Sequence, residues 1–169
     1  MSPSQLARAE LAALLAEVGD ARRRLSELAQ EIANTDPGSS GQPHRATLAL
    51  LGVDLHSYYT TIEGLIERIV GALEGRTLEG PSTHIETIRH ATRSLPQIRP
   101  AIFDAQRRES LDELRRFRHF FRHAYALSLR HAKLRRVLDL FPALHADLEA
   151  DLSQFADFVQ GLIDELSKH

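Results

Sequence analysis

Apolar residues recur along most of this chain at the three- to four-residue spacing of amphipathic helices. Near the N-terminus one set repeats every seven residues and a second set falls between them: Leu11, Leu14, Val18, Ala21, Leu25, Leu28 and Ile32. This pattern predicts a long helix over residues 4–34. The run at 36–43 predicts a loop, because it is rich in proline, glycine and serine.

The next part of the chain predicts a second long helix and a shorter one. Residues 45–73 carry apolar side chains along one side: Leu48, Leu51, Leu55, Tyr58, Ile62, Leu65, Ile69 and Leu73. Glycines after this segment end the helix and begin a turn. A shorter helix is predicted over 82–94, and it stops before Pro96.

Three further helices are predicted in the rest of the chain. Pro100 suits the first turn of a helix, so the next one is predicted over 101–129. A brief helix over 133–140 is expected to stop at Pro142, which has no backbone N–H to donate. The last helix, over 143–167, again shows an apolar side: Leu148, Leu152, Phe155, Val159, Leu162 and Leu166.

No segment shows the sustained alternation, rich in Val, Ile or Thr, that predicts β-strands. The chain is therefore predicted to be all-α, an antiparallel helical bundle of four long helices plus one or two short ones. Its 169 residues suffice for a single domain, taken as residues 1–169.

Composition narrows the setting in which the protein works. The chain has no cysteine, which excludes disulfides and thiolate metal sites. Arg8 and Glu10 precede any apolar run, so no signal peptide is expected. No uncharged apolar segment approaches the length of about 18 residues that crosses a bilayer, so no membrane partner is expected. A cytoplasmic location is the simplest expectation.

Charge is distributed unevenly along the chain. Between Arg107 and Arg136 ten basic residues face three acidic ones, a net charge of +7 in a protein whose total is −2. The remaining residues therefore sum to −9. Such a basic segment either binds phosphate groups or pairs with acidic helices of the same molecule, and both interpretations remain open.

The densest candidate chemistry lies at residues 118–125, with the sequence Arg-His-Phe-Phe-Arg-His-Ala-Tyr. Imidazoles move protons near neutral pH, and guanidinium groups bind phosphates through two parallel hydrogen bonds. These groups suit RNA cleavage without a metal or other cofactor. His119 and His123 have the i, i+4 spacing of a helical Zn²⁺ site, but no third ligand accompanies them, so no metal is expected.

A helical wheel predicts where these groups point. At about 100° per residue, Arg118, Arg122 and Tyr125 share one line, while His119 and His123 share the next. The core-facing side is expected to consist of Leu114, Phe117, Phe121 and Ala124. The polar arc is therefore expected to face away from the bundle. Arg118 and His123 lie about 140° apart, so a homodimer that brings them together from two copies would close a shared groove.

Residues 118–125 resemble the Arg-x4-His-x-Tyr motif of the HepT-like toxins, members of the HEPN group of helical-bundle ribonucleases in type VII toxin–antitoxin systems. The flanking Arg116-Phe117 and the Leu-rich run 126–129 fit the same context, as does the helical segment 56–69 ahead of the motif. The resemblance covers roughly residues 48–140. His119 departs from the family pattern, which usually has another polar residue there, often Asn.

The resemblance implies a metal-independent endoribonuclease whose catalytic residues are Arg118 and His123. It also implies a partner, a small nucleotidyltransferase antitoxin of the MNT type. That partner would silence the toxin by AMPylation, the attachment of AMP to the motif tyrosine, Tyr125. A bulky anion at this position would repel RNA from the arginines and block the groove.

The chemistry suggests a mechanism, stated as a hypothesis. His123 takes a proton from an RNA 2′-hydroxyl, which attacks the adjacent phosphorus and leaves a 2′,3′-cyclic phosphate. The partner copy's imidazole or His119 protonates the departing 5′-oxygen, and Arg118, helped by Arg122, neutralises the growing negative charge.

Other interpretations compete with this one. A non-catalytic module would bind a nucleotide or RNA, or dock a partner, through the same arginines. A nucleotide pyrophosphohydrolase would need clustered Glu-x-x-Glu ligands, which the chain lacks. Glu63 and Glu67 are interpreted as ordinary surface charges; the alternative is that they pair with the motif arginines or near Arg68. The remaining histidines are also expected at the surface: His44, His56, His84, His90, His131, His145 and His169.

Overall fold

The computed structural model describes residues 2–38, 43–78, 83–123 and 131–168. Within these ranges it describes the backbone alone for Thr83, His84, Arg122, His123 and His131.

Five α-helices make up most of the described chain. Their bounds are Pro3–Thr35 (α1), Arg45–Glu74 (α2), Thr83–Ala91 (α3), Arg108–His123 (α4) and His131–Leu166 (α5), with a 3₁₀ turn at Ala105–Arg107. Helix α1 packs against α2 and α5, while α4 lies on α2, α5 and α3. The described residues contain no β-strand, and the predicted all-α helical bundle is confirmed.

The apolar stripes predicted from spacing form one core. Helices α1, α2 and α5 contribute most of it, with each apolar side facing its neighbours: Leu14, Val18, Leu25, Leu28, Ile32, Leu51, Leu55, Tyr58, Ile62, Leu65, Ile69, Leu148, Leu152, Phe155 and Val159 are buried. Burial of such stripes, more than helix propensity, stabilises helices in a folded protein. None of the described helices is both long and apolar enough to cross a membrane.

The ends of the first two helices follow from local chemistry. Ser2 and Gln5 form a reciprocal capping box at the start of α1, with Pro3 at the first helical position. Helix α2 ends at Gly75, whose backbone φ of 64° lies in the left-handed region that glycine adopts without a steric penalty.

The prediction of a helix beginning near Pro100 is wrong. The chain from Leu95 to Asp104 is irregular, and helical backbone begins only at the 3₁₀ turn. Leu95 and Arg99 pair through their backbones, and the N–H groups of Ile102 and Phe103 both donate to the Ala91 carbonyl oxygen. Because Ile102 and Phe103 are buried, tertiary packing holds this connection in a non-helical path. The predicted helix over 82–94 is correspondingly shorter.

The predicted break at Pro142 is also wrong, because α5 runs through it. The missing N–H removes one backbone hydrogen bond from the helix. Buried side chains on both sides of the proline, Leu138 and Phe141 before it and Leu144 after it, keep one face against the core. Packing of this continuous stripe outweighs the local preference of proline to end a helix.

Candidate functional site

Helix α4 places the motif by packing an apolar side against the rest of the bundle. Leu111, Leu114 and Phe117 are buried, and Phe121 is partly buried against the same core. The predicted core-facing side is therefore confirmed for Leu114, Phe117 and Phe121, whereas Ala124 lies outside the described residues.

Gly52 permits the close approach of α4 to α2. A Cβ atom at this position would lie 2.5 Å from the Phe121 ring, well inside van der Waals contact. The Phe121 ring stacks on Phe117 at a centroid distance of 6.1 Å and lies 5.9 Å from the His56 ring. Gly52 thus sets where the motif end of α4 rests on α2.

The side chain of Arg118 lies against α2. Its Nη2 is 3.0 Å from Oε2 of Glu63, and its Nη1 donates to Oε1 of the same carboxylate at 3.5 Å. The guanidinium carbon sits 5.5 Å from the centre of the Tyr59 ring, within the range of a cation–π contact. Only 12% of the Arg118 side chain and 9% of the Glu63 side chain are exposed.

The prediction that Arg118 faces away from the bundle is therefore wrong. On the helical wheel Leu114 lies only about 40° from Arg118, because the two are four residues apart. Leu114 is fully buried, so the side chain one turn later begins at the edge of the core. The long arginine side chain then tucks inward to reach Glu63.

Glu63 is likewise not the surface charge that was expected, since it is buried beside Arg118. Glu67, one turn further along α2, is exposed as expected. The carboxylate facing the motif arginine thus comes from a specific position of α2.

The guanidinium of Arg118 is incompletely satisfied. Its Nε is buried and has no hydrogen-bond partner within the part of the chain that the structure describes. Buried polar atoms in folded proteins nearly always have a partner, so such an atom calls for an explanation.

The structure describes the other motif residues less completely. His119 is exposed, as the wheel predicted. The backbone of Arg122 and His123 continues α4, but their side chains lie outside the description, and Tyr125 lies outside the described residues altogether. The distance between Arg118 and His123 that a shared groove requires therefore stays a prediction.

Most of the basic segment is neutralised within the chain. Of its ten basic residues, six form ion pairs among the described residues: Arg107, Arg115, Arg116, Arg118, Arg135 and Arg136. Arg107 reaches Asp147 and Asp151 of the acidic α5, as the pairing interpretation expected. The ammonium group of Lys133 lies 4.2 Å from the centre of the Phe120 ring. The uneven charge is thus largely a matter of internal pairing.

Three histidines expected at the surface are partly buried. The Nδ1 atom of His145 is 2.8 Å from the hydroxyl of buried Tyr58, and burial lowers the pKa of His145. His90 lies 2.8 Å from Glu74, while His56 packs against Phe121. The surface prediction is therefore wrong for these three.

The structure adds residues that the sequence interpretation missed. Tyr59 is fully buried beneath Arg118, and burial, with a contribution from the Glu63 charge, raises the pKa of its hydroxyl far above the ordinary value. The i, i+4 spacing of Tyr59 and Glu63 beside buried Ile62 is a signal that places both on the packed side of α2. No pattern in the sequence indicated that Gly52 contacts the motif helix.

No group of three or more His, Asp or Glu among the described residues is arranged to hold a metal ion. The His119–His123 zinc alternative stays untested, because the His123 side chain lies outside the description.

The protein is a helical bundle in which Arg118, the motif arginine of α4, is held by residues of α2. Residues 50–159 match the family model described as HepT-like protein, which spans α2 to α5 and includes the whole motif. The chain therefore belongs to the HepT-like family, within the HEPN superfamily, as the motif resemblance indicated. No curated protein and no solved structure matches the chain significantly.

Proposed function

We propose that this protein is a metal-independent endoribonuclease toxin that cuts RNA in a groove shared by two copies of the chain. The observation that carries the proposal is the motif helix itself. Within the HepT-like match, α4 carries Arg118 as an oriented guanidinium, followed five residues later by His123. These two groups supply what cleavage of an RNA linkage needs, a phosphate-binding cation and a general base.

In the proposed reaction His123 accepts the proton of the 2′-hydroxyl. The oxygen attacks phosphorus, the bond to the 5′-oxygen breaks, and a proton from the partner copy's histidine or from His119 completes the leaving group. Arg118 stabilises the charge on the non-bridging oxygens, with Arg122 in support. Each proton-transfer group is expected to contribute about 10²- to 10⁴-fold.

The proposal is tested first by expression in bacteria. Wild-type protein without its antitoxin should arrest growth, and both Arg118→Ala and His123→Ala should relieve the arrest at equal protein levels. Growth that continues at full rate with folded wild-type protein would contradict toxicity.

The shared groove has its own test. Mixing purified Arg118→Ala with His123→Ala and allowing subunits to exchange forms mixed dimers, in which one of the two sites has both groups intact. Such a mixture should cleave RNA although neither variant does alone. If the mixture stays inactive while subunit exchange is demonstrated, either Arg118 and His123 do not come from different copies or the reaction needs His123 of both copies.

Silencing by a nucleotidyltransferase at Tyr125 is tested by intact-mass measurement. Protein co-expressed with a small nucleotidyltransferase of the MNT type should gain the mass of one or more adenylates, and Tyr125→Phe should abolish the gain. An unchanged mass, or a gain that persists in Tyr125→Phe, would contradict this part of the proposal.

A second candidate, a binding module without catalysis, is favoured by the burial of Arg118 and by the many internal ion pairs. It predicts RNA or nucleotide binding that needs Arg118 but no cleavage by wild-type protein. Purified wild-type protein incubated with RNA separates the two candidates, since only the first yields 2′,3′-cyclic phosphate ends.

A further inference from the structure

Two residues of α2 together form a cradle for the Arg118 guanidinium. Glu63 meets its Nη1 and Nη2 atoms from the end, and Tyr59 lies beneath its face. Because Tyr59 and Glu63 are four residues apart on one helix, their relative position is fixed by the backbone of α2. Phe121, seated on Gly52, fixes α4 against the same helix. The arginine is therefore held at both ends, by its own helix and by the cradle.

Glu63 does not use all the hydrogen-bond donors of the Arg118 guanidinium. A guanidinium carries five N–H groups in a rigid plane. The Glu63 carboxylate occupies the edge between Nη1 and Nη2, whereas Nε has no partner among the described residues. Because Nε is itself buried, a phosphate reaches the guanidinium through the second N–H of Nη1 or Nη2, which Glu63 does not use.

We infer that Glu63 and Tyr59 are positioning residues, which hold the Arg118 guanidinium in one orientation so that its remaining Nη N–H groups meet an RNA phosphate. The inference rests on the proposed ribonuclease function. Neither residue touches the reacting atoms. Their contribution is orientation, since a guanidinium already fixed in place loses little conformational freedom when the phosphate binds. The negative charge of Glu63 partly offsets the positive charge of Arg118. Glu63 therefore fixes the orientation of the guanidinium but weakens its electrostatic attraction for RNA.

Substitution at Glu63 should therefore separate kcat from KM. Glu63→Gln keeps a hydrogen-bond acceptor but removes the opposing charge, so KM for RNA is expected to stay the same or to fall. The loosened guanidinium should lower kcat by about 10- to 100-fold. Glu67→Gln, an exposed site one turn away on the same helix, is the matched control and should leave both constants unchanged. Equal kcat values for wild type and folded Glu63→Gln would overturn the inference.

A chemical rescue experiment tests the cradle without depending on catalysis. Arg118→Ala removes the side chain and leaves the space between Glu63 and Tyr59. Millimolar guanidinium chloride, far below denaturing concentrations, should then bind in that space and raise the melting temperature of Arg118→Ala relative to equal sodium chloride. The same addition should not raise it for Arg118→Ala combined with Glu63→Gln. Combination with Glu67→Gln should leave the rise intact.

RNA cleavage in the same samples gives the second readout. Added guanidinium should restore part of the activity of Arg118→Ala, and only where Glu63 is present. Stabilisation that is absent, or that is equal in the Glu63→Gln background, overturns the cradle. Stabilisation without restored cleavage, while wild-type protein cleaves, overturns the positioning role. If wild-type protein does not cleave although the cradle binds guanidinium, the proposed function fails and the positioning role fails with it.

Discussion

Helix α2 holds two buried glutamate–arginine pairs, and they differ in how completely each arginine is satisfied. Glu74 binds Nε of Arg99 at 2.8 Å, and Glu63 binds the Nη atoms of Arg118. The two glutamates stand eleven residues apart, so they lie on nearly the same side of α2. They nevertheless bind arginines from different parts of the chain.

Every nitrogen of the Arg99 guanidinium has a partner. Besides Glu74, its Nη1 donates to the carbonyl oxygens of Arg93 and Pro100, and its Nη2 donates to that of His90. The side chain is completely buried. Arg99 thus acts as a brace for the irregular connection between α3 and α4, whose backbone is not helical.

Arg118 is exposed by 12% and has a buried Nε without a partner among the described residues. Burial beside a glutamate therefore does not by itself define the role of an arginine. Arg99 has a complete set of acceptors, whereas Arg118 is held by one carboxylate and keeps donors that no described residue accepts.

The largest expected effect on stability is that of Arg99→Met. Removing this guanidinium takes one of its three donor side chains from the buried Glu74 carboxylate and leaves three carbonyl oxygens without the donor that Arg99 supplied. The free energy of unfolding should therefore fall by about 3–5 kcal/mol. Urea unfolding followed by circular dichroism measures it. A loss below that of Arg118→Met would contradict the distinction between the two pairs.

Arg118→Met should cost less, about 1.5–3 kcal/mol, because it removes charge-assisted hydrogen bonds to a single partner and also removes an unsatisfied donor. The same variant should abolish RNA cleavage while remaining folded at room temperature. Retained cleavage in Arg118→Met would show that Arg118 is structural, as Arg99 is.

Gly52→Ala should disturb the Glu63–Arg118 pair and leave the Glu74–Arg99 pair intact. The added methyl would collide with the Phe121 ring, so the ring or α4 must shift, at a cost of about 1–3 kcal/mol. Gly64→Ala is the matched control on the same helix. Its Cβ meets nothing within 4 Å, and the change should stabilise the protein by about 0.5–1 kcal/mol. Unfolding curves of both variants check the signs, and two variants of equal stability would contradict the packing described.

The smallest effect concerns pH and the Glu74 pair. Burial alone would raise the pKa of the Glu74 carboxyl, but hydrogen bonds from His90, Arg76 and Arg99 lower it below its ordinary value of 4.5. Because the folded-state pKa is the lower one, this stabilisation is complete above about pH 4.5 and is lost as pH falls through the lowered value.

Glu74→Gln should therefore flatten the decline of stability below pH 4.5, in addition to lowering stability at neutral pH. Unfolding free energies measured at several acidic pH values test it. Glu67→Gln, at an exposed position, should leave the acid-side slope as in the wild type. Identical slopes for wild type and Glu74→Gln would remove Glu74 from this role.

The sequence predicted the fold class and the apolar sides because helical spacing directly reports burial. It misplaced the helix boundaries near Pro100 and Pro142, where the local effect of proline is outweighed by the packing of distant side chains. The Glu74–Arg99 pair gave no periodic signal, since 25 residues and an irregular connection separate its members.

The motif was found from residue types and spacing, but the direction of Arg118 was not. A long side chain at the edge of a stripe can point to solvent or fold inward, and only its neighbours on α2 decide between the two. Tyr59 and Glu63 are those neighbours, and no regularity within α4 reveals them.

In the proposed function Arg118, unlike Arg99, binds an RNA phosphate. The most direct measurement is cleavage of single-stranded RNA by protein made in a cell-free system without the antitoxin and assayed in EDTA. Wild-type protein should produce 2′,3′-cyclic phosphate ends, and folded Arg118→Ala should be slower by about 10²- to 10³-fold. Cleavage by Arg118→Ala at the wild-type rate, or none by unmodified wild-type protein, would contradict the account.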